Sequence, residues 1–166
     1  MTSKIASAVT AKVMARIAGA GGLNAGLAGL TKAERDLAGQ IDAPQVRAQN
    51  VTADIAERAL GVKYPAVNVY CEKVANTLRE KFRSFAGTVQ MVMELRHSQD
   101  RLEGLEDRLE LYVDAAMQML DSQRGDWGDG MFFGGEFDVQ FGGVKQGGRN
   151  FIQVAKVTFR IGVSKN

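Results

Sequence analysis

The sequence predicts an α+β fold: a single, mostly antiparallel four-stranded sheet with helices packed on one face, plus an N-terminal helical arm. Apolar residues recur every three or four positions between Ser98 and Gln123, the period of a helix with one buried face. On either side of this stretch the apolar period changes to two, as in strands with one face toward a core. The first 40 residues contain no aromatic residue and many small ones. We therefore expect a sheet covered by a central helix, with a separate segment before it.

The bulk composition is that of one domain with a core of its own and an additional peripheral segment. The chain has 166 residues, of which 45% are hydrophobic and 24% charged. A formal net charge of +2 is too small to indicate nucleic-acid binding by itself. No apolar run reaches the length of about 18 residues that a membrane span requires. Cys71 has no second cysteine to pair with, and its apolar neighbours predict a small buried side chain.

The N-terminal segment, residues 1–40, is predicted to be the helical arm. Apolar residues at every fourth position from Ile5 to Ile17 form the thin stripe of an amphipathic helix over Lys4–Ala18, and the glycines that follow end it. No acidic residue precedes Glu34, a charge bias that organelle transit peptides share. The alternative is a helix that packs on the body or on a neighbouring subunit. Residues 41–166 are predicted to form the α+β domain.

The α+β domain is predicted to begin with a helix over residues 44–61. Pro44 suits the first helical turn, where a missing N–H costs nothing. Val46, Val51 and Ile55 then supply a buried face, and Gly61 ends the helix.

Four strands are predicted from the apolar period of two. They lie within Tyr64–Val74, Val89–Arg96, Phe137–Phe141 and Val157–Val163. The first two are close enough in sequence to pair as antiparallel neighbours. Glycines between the last two give them a permissive hairpin turn.

The central helix and the segment after it connect the second strand to the third. Asp100 and Glu103 have the spacing of a capping box, so we expect the helix to begin there. The segment Asp121–Gly135 mixes glycine and aspartate with three aromatic residues. This composition predicts a loop that can change shape and still bury apolar area.

No catalytic, cofactor-binding or metal site is predicted, and we do not expect an enzyme. His97 is the one histidine of the chain, and a hydrogen-bonded or solvent-facing side chain is expected there. The three aspartates between residues 121 and 129 miss the alternating spacing of a calcium loop. Glu106 and Glu110 lie one turn apart on the exposed side of the central helix, where nothing desolvates them for acid–base chemistry.

The remaining sequence features favour interaction with other proteins. A sheet covered by helices on one side leaves its other face to water or to another chain. The predicted outward strand positions carry charges of both signs, and the 121–135 segment adds aromatic residues. The candidate interface residues are Trp127, Asp129, Phe132, Phe133, Glu136, Asp138, Lys156 and Arg160.

Four stretches follow one another in a recognisable order. They are a predicted helix ending in Ala56-Glu57-Arg58-Ala59-Leu60, the strand Tyr64-Pro65-Ala66-Val67-Asn68-Val69-Tyr70, the Val89–His97 strand entering the helix at Asp100, and the closing Phe151–Val163 strand. In this order the chain resembles the tail terminator, or tail-completion, proteins of tailed bacteriophages. The likeness runs from about Ala43 to Val163, about three quarters of the chain, and is one of pattern and length.

The resemblance implies a structural protein of the virion. Such a subunit forms a ring, expected to be a hexamer, caps the last ring of tail-tube protein, stops its polymerisation and joins it to the head connector. The implied partners are further copies of the chain, the tail-tube protein and the head connector or neck protein. The implied location is the tail or neck of the virion, assembled in the cytoplasm of the bacterial host. Neither membrane binding nor specific nucleic-acid binding is expected.

Two alternatives remain open beside the tail terminator. One is another neck or connector component of similar fold. The other is a small nucleic-acid-binding or ligand-binding module that uses the basic face of Lys156 and Arg160.

Overall fold

The computed structural model describes residues 4–30, 44–52 and 62–166. Three helices lie in these ranges: α1 (Ile5–Ala18), α2 (Leu23–Ala28) and α3 (Leu105–Ser122). Seven strands accompany them: β1 (Gln45–Arg47), β2 (Ala66–Ala75), β3 (Phe85–Gln99), β4 (Gly125–Gly128), β5 (Met131–Phe141), β6 (Lys145–Gly147) and β7 (Asn150–Lys165). Residues 31–40 of the predicted arm and residues 53–61 of the predicted helix lie outside the described ranges.

The predicted fold class is wrong, because the protein is mostly sheet. Seven strands form one curled, half-barrel sheet instead of a four-stranded layer, and 44% of the described residues are in strands against 27% in helices. The strand order is β1-β2-β3-β7-β5-β4, with β6 paired to β7. The contacts are antiparallel except for the parallel pair β1–β2.

Two segments account for much of the error. The segment Asp121–Gly135, which was predicted to be a loop, contributes β4 and the first part of β5. Asp129 and Gly130 both have positive φ and form the tight turn that connects these two strands. Residues 45–47, predicted to be helical, form β1 beside Ala66–Asn68. β1 has only three residues, and glycines interrupt β4 and β5, so none of these segments shows a long apolar alternation of the kind on which the strand predictions rested.

The sheet is organised by two long central strands. β3 and β7 are aligned over fifteen residue pairs, from Phe85–Lys165 to Gln99–Phe151. The sheet bends where β5 crosses β7, because Gly134, Gly135 and Glu136 stand opposite Arg160 alone, between the pairs Phe133–Ile161 and Phe137–Phe159. An insertion of this kind bends a strand and increases its twist.

Helix α3 fills the inside of the curl. Its buried residues, including Leu109, Val113 and Ala116, join one core cluster with β3 residues such as Met93 and β7 residues such as Phe159. The prediction of a helix here is confirmed, but its start is not at the capping box. The helix begins after Gly104, which has φ of 77°, and no side chain caps it. A residue with left-handed backbone turns the chain from the end of β3 into α3.

The N-terminal helices belong to the core, which corrects the predicted arm. Val9 and Val13 of α1 and Leu23 of α2 are at most 2% exposed. Helix α1 contacts β2, near one end of the strand order. Near the other end, Lys12 Nζ lies 2.9 Å from Asp129 Oδ2 in the β4–β5 turn, and the Arg16 guanidinium lies 5.1 Å from the ring centre of Trp127 in β4. Helix α1 therefore spans the opening of the curl. The predicted boundary between residues 40 and 41 falls outside the described ranges and stays a prediction.

The two adjacent residues Phe132 and Phe133 test this architecture directly. Phe133 is fully buried, with its ring centre 5.6 Å from that of Trp127 and 5.9 Å from that of Phe159, whereas Phe132 is 55% exposed. We expect Phe133→Ala to lower the free energy of unfolding by about 3–5 kcal/mol, because it leaves a cavity. Phe132→Ala, the matched control, should change it by less than about 0.5 kcal/mol. Chemical denaturation measures both, and equal losses would contradict the assigned orientation of β5.

Candidate interaction surface

The sheet has two faces with different chemistry. The inner face packs on α1 and α3 and is apolar. The outer face is the opposite side of β3, β5 and β7, and alternate residues there are mainly polar. Its residues are Gln90, Val92, Glu94 and Arg96 on β3, Glu136, Asp138 and Gln140 on β5, and Lys156, Thr158 and Arg160 on β7. One part of this face, around Glu94 and Arg96, is covered by residues 51 and 52, and we call it the closed part. The other part, around Glu136, Asp138 and Arg160, is exposed to solvent, and we call it the open part.

The closed part holds a buried cluster of charges around Glu94. Arg96 donates to Glu94 Oε2 from both Nη2 and Nε, at 2.6 and 3.2 Å. The Tyr70 hydroxyl donates to Glu94 Oε1 at 2.7 Å, and Lys156 Nζ lies 3.6 Å from the same oxygen. The side chains of Arg96 and Glu94 are only 3% and 9% exposed. Both carboxylate oxygens are therefore satisfied, as a buried charge requires.

Val51 and Thr52 lie against the outer face at this cluster. The backbone carbonyl of Val51 accepts a hydrogen bond from Arg96 Nη2. Thr52 borders a cavity of about 450 Å³ whose charged lining includes Glu94, Arg96, Lys145 and Lys156. The buried arginine thus connects two distant parts of the chain, which fixes the position of residues 51 and 52 on the sheet.

The ionisation of Glu94 follows from its partners. Burial by itself raises the pKa of Glu94, but the hydrogen bonds from Tyr70 and Arg96 and the positive charges of Arg96 and Lys156 hold the pKa below its ordinary value. Burial and the contact with Glu94 raise the pKa of Tyr70, so its hydroxyl stays a proton donor. Because folding lowers the pKa of Glu94, its stabilisation is present above the unfolded value of about 4.3 and is lost as the pH falls through the folded value.

The open part of the outer face is a charged groove. It has a volume of about 590 Å³ and is lined by Gln90, Gly135, Glu136, Phe137, Asp138, Thr158, Phe159 and Arg160. The side chains of Glu136, Asp138 and Arg160 are exposed. Arg160 Nε donates to Gln90 Oε1 at 3.4 Å. Neither Glu136 nor Asp138 forms an ion pair with a described residue, so both carboxylates are free to meet a partner.

The predicted interface residues fall into two groups. Glu136, Asp138, Lys156 and Arg160 lie together on the outer face, and Phe132 is exposed on the same face. Trp127 and Phe133 lie in the core instead.

The remaining predicted residue, Asp129, lies at the β4–β5 turn. It is exposed, and its ion pair with Lys12 holds the pKa of the Asp129 carboxyl below its usual range.

Sequence reasoning missed the buried cluster because its members look like ordinary outward positions. Glu94, Arg96 and Tyr70 alternate with apolar residues, and this pattern predicts solvent exposure. The available signal was that Glu94 and Arg96 lie two residues apart and therefore on the same side of one strand.

His97 lies inside the fold, not in solvent. It is 7% exposed on the inner face, its Nε2 lies 3.3 Å from Gln99 Oε1, and its ring centre lies 6.1 Å from that of Tyr112. The Nδ1 atom has no hydrogen-bond partner among the described residues. Burial lowers the pKa of His97, the hydrogen bond to Gln99 opposes this, and the nearby charge of Arg108 lowers it further.

Across residues 4–30, 44–52 and 62–166, no three histidine, cysteine, aspartate or glutamate side chains are grouped closely enough to hold a metal ion. Within the same ranges, no helix has both the length and the apolar character needed to cross a membrane. No protein-family model matches the chain, and no curated protein matches it either.

Replacement of Glu94 tests the buried cluster. Glu94→Gln keeps the side-chain volume but leaves Arg96 buried without its anionic partner, so we expect a loss of on the order of 3 kcal/mol in the free energy of unfolding at pH 7. Glu72→Gln is the matched control, because Glu72 is an exposed glutamate on β2 that accepts a hydrogen bond from Gln90. Its effect should stay below about 0.5 kcal/mol. Similar losses for both variants would show that the cluster is not a buried unit.

His97 provides a test by pH. In the unfolded chain its pKa is about 6.5, so below that pH the unfolded state binds a proton that the folded state does not. The free energy of unfolding should therefore fall between about pH 7 and pH 5.5. Since His97 is the one histidine, His97→Gln should remove most of this slope. Denaturation curves at several pH values measure it, and an unchanged slope in the variant would contradict the burial of His97.

Proposed function

We propose that this protein is a structural assembly subunit that forms a ring, of the kind found in phage tail terminators. In that role the ring caps the tail tube, ends its growth and joins it to the head connector, in the virion neck. The observation that carries the proposal is the open part of the outer face, where exposed acidic and basic side chains lie side by side on adjacent strands. We propose no enzymatic reaction for it.

The charged groove supports binding to a protein surface of mixed charge. Glu136 and Asp138 lie on β5, and Lys156 and Arg160 lie on the adjacent strand β7. A surface with both signs in fixed positions selects a partner with the opposite arrangement and repels one in the wrong register. Further copies of the chain, the tail-tube protein and a neck protein are the proposed partners.

The alternative of a nucleic-acid-binding module is less well supported. Lys156 is engaged with Glu94, and Arg160 shares its groove with Glu136 and Asp138. Carboxylates in these positions repel a phosphate backbone, whereas nucleic-acid surfaces concentrate lysine and arginine.

Self-association is the central test of this proposal. We expect light scattering after size exclusion to give a single oligomer, and negative-stain images to show rings. Lys156→Glu/Arg160→Glu reverses two of the four exposed charges of the outer face and should shift the protein toward smaller species. Because Lys156 lies 3.6 Å from Glu94, an unfolding curve first confirms that this variant is folded. A wild-type protein that stays monomeric at concentrations of several milligrams per millilitre would overturn the proposal.

A charge-matched control separates the outer face from net charge. Lys4→Glu/Lys63→Glu changes the net charge by the same amount at two exposed lysines that lie off the outer face of β3, β5 and β7. Its oligomeric state should equal that of the wild type. If both double variants dissociate equally, the outer face is not the contact surface.

A further inference from the structure

The loop between β2 and β3, residues 76–84, presents apolar side chains to water. Phe82 is 96% exposed and Leu78 is 64% exposed, the two largest values among the exposed large hydrophobic residues. An aromatic ring at the tip of a loop gains free energy when a partner buries it. This pair is therefore a candidate contact that the outer face does not include.

The β2–β3 loop is held in one shape by hydrogen bonds at its base. Ala86 N donates to Asn76 Oδ1 at 3.0 Å, and Ser84 N donates to the Lys165 carbonyl at 2.8 Å. Arg83 Nη1 donates to Asn166 Oδ1 at 2.6 Å. Phe82 has φ of 64°, a backbone conformation that non-glycine residues seldom adopt. These hydrogen bonds hold the base of the loop in place, which lowers the part of the entropy cost of binding that comes from the loop backbone.

The charge around Phe82 is positive. Arg79, Lys81 and Arg83 flank it, against the single acidic residue Glu80. Glu80 lies 3.9 Å from Arg83, so it partly neutralises that one arginine. Lys165 lies at the base of the loop, opposite Phe85 in the sheet. The loop therefore suits an acidic partner that also has an apolar contact point.

An acidic surface with an exposed apolar residue lies on the same chain, at the other end of β3. Fifteen residues at about 3.3 Å each separate the two ends by roughly 45–50 Å. There Leu102 is 58% exposed beside the start of α3. Exposed acidic residues surround it, namely Asp100, Glu103, Glu106, Asp107 and Glu110. We call residues 100–110 the acidic helix start.

The helix dipole explains only part of this acidic group. Glu106 and Asp107 lie in the first turn, where negative charge stabilises a helix. Asp100 and Glu103 precede the helix and Glu110 follows its first turn, so they gain little from the dipole. Asp107 and Glu110 are three residues apart on one side of α3, and Glu103 lies just before Gly104, after which the helix begins. Arg101 and Arg108 are the basic residues within it.

We propose that the β2–β3 loop of one copy docks on the acidic helix start of the next copy, with Phe82 against Leu102. This proposal rests on the proposed self-assembly and identifies the contact between neighbouring subunits. The two surfaces lie at opposite ends of one rigid strand, so the contact is head-to-tail. A contact of this type closes into a ring or continues as a filament, depending on the angle between subunits.

Two charge reversals test the contact. Arg79→Glu/Lys81→Glu/Arg83→Glu reverses the loop, and Glu103→Lys/Asp107→Lys/Glu110→Lys reverses the helix start. Each variant alone should weaken self-association at least about tenfold, because like charges then face each other. An equimolar mixture of the two should associate again, because the acidic loop of one meets the basic helix start of the other. Phe82→Ser should weaken association about tenfold at low and at high salt.

The outcomes separate this contact from the broader proposal. If the wild type does not self-associate, the proposed function fails and this contact fails with it. If the wild type associates and both reversals leave it unchanged, this contact is overturned while the ring remains. If each reversal dissociates the protein but the mixture does not recover, the loop has a different partner and the contact is also overturned. Unfolding curves confirm that each variant is folded before it is compared.

Discussion

Burial of helix α3 inside a curled sheet is the constraint on which the rest of the structure depends. The helix offers an apolar stripe that one flat layer of four strands would cover on one side only. Seven strands that curl around it enclose more of this surface, and α1 spans the opening between β2 and β4. The bend at Gly134, Gly135 and Glu136 lets β5 follow the curl while Phe133 and Phe137 both stay in register with β7.

The two central strands carry apolar side chains on one face and charged side chains on the other. On one side of β3 and β7, fully buried residues such as Met93 and Ile161 pack against the helices. On the other side the same strands carry Glu94, Arg96, Lys156 and Arg160. A strand that is held from its other face has little backbone freedom, so the Cα positions that carry the outer charges keep fixed spacings. Burying Glu94 and Arg96 costs solvation energy. Arg96 also donates a hydrogen bond to the Val51 carbonyl, so the buried pair holds residue 51 against the sheet.

The sequence predicts elements with a strong, unbroken period and fails where the period is short or interrupted. The apolar rows of α3, β3 and β7 are long enough to be read directly, and each element contains its predicted apolar positions from the first residue of α3 onward. Helix α3 nevertheless begins later than the capping box predicted, and β3 and β7 extend beyond their predicted bounds at both ends. The β4–β5 hairpin contains too many glycines for its alternation to be visible, and β1 has only three residues. The depth of Glu94 and Arg96 depends on residues more than 40 positions earlier, and a local pattern contains no information on such contacts.

Burial also explains why two of the predicted interface residues, Trp127 and Phe133, lie in the core while the others are on the surface. Trp127 and Phe133 were chosen because aromatic residues among glycines suggest an adaptable loop, but a curled sheet with a helix inside needs large side chains at the edge of its core. The Trp127 indole N–H donates to the Gln123 carbonyl at 2.8 Å, which satisfies its polar group there. Among the described residues the most exposed aromatic side chain is that of Phe82, in a loop where charged residues flank it. Exposed contact residues are therefore better sought where the fold has no use for an apolar side chain than where the sequence is richest in them.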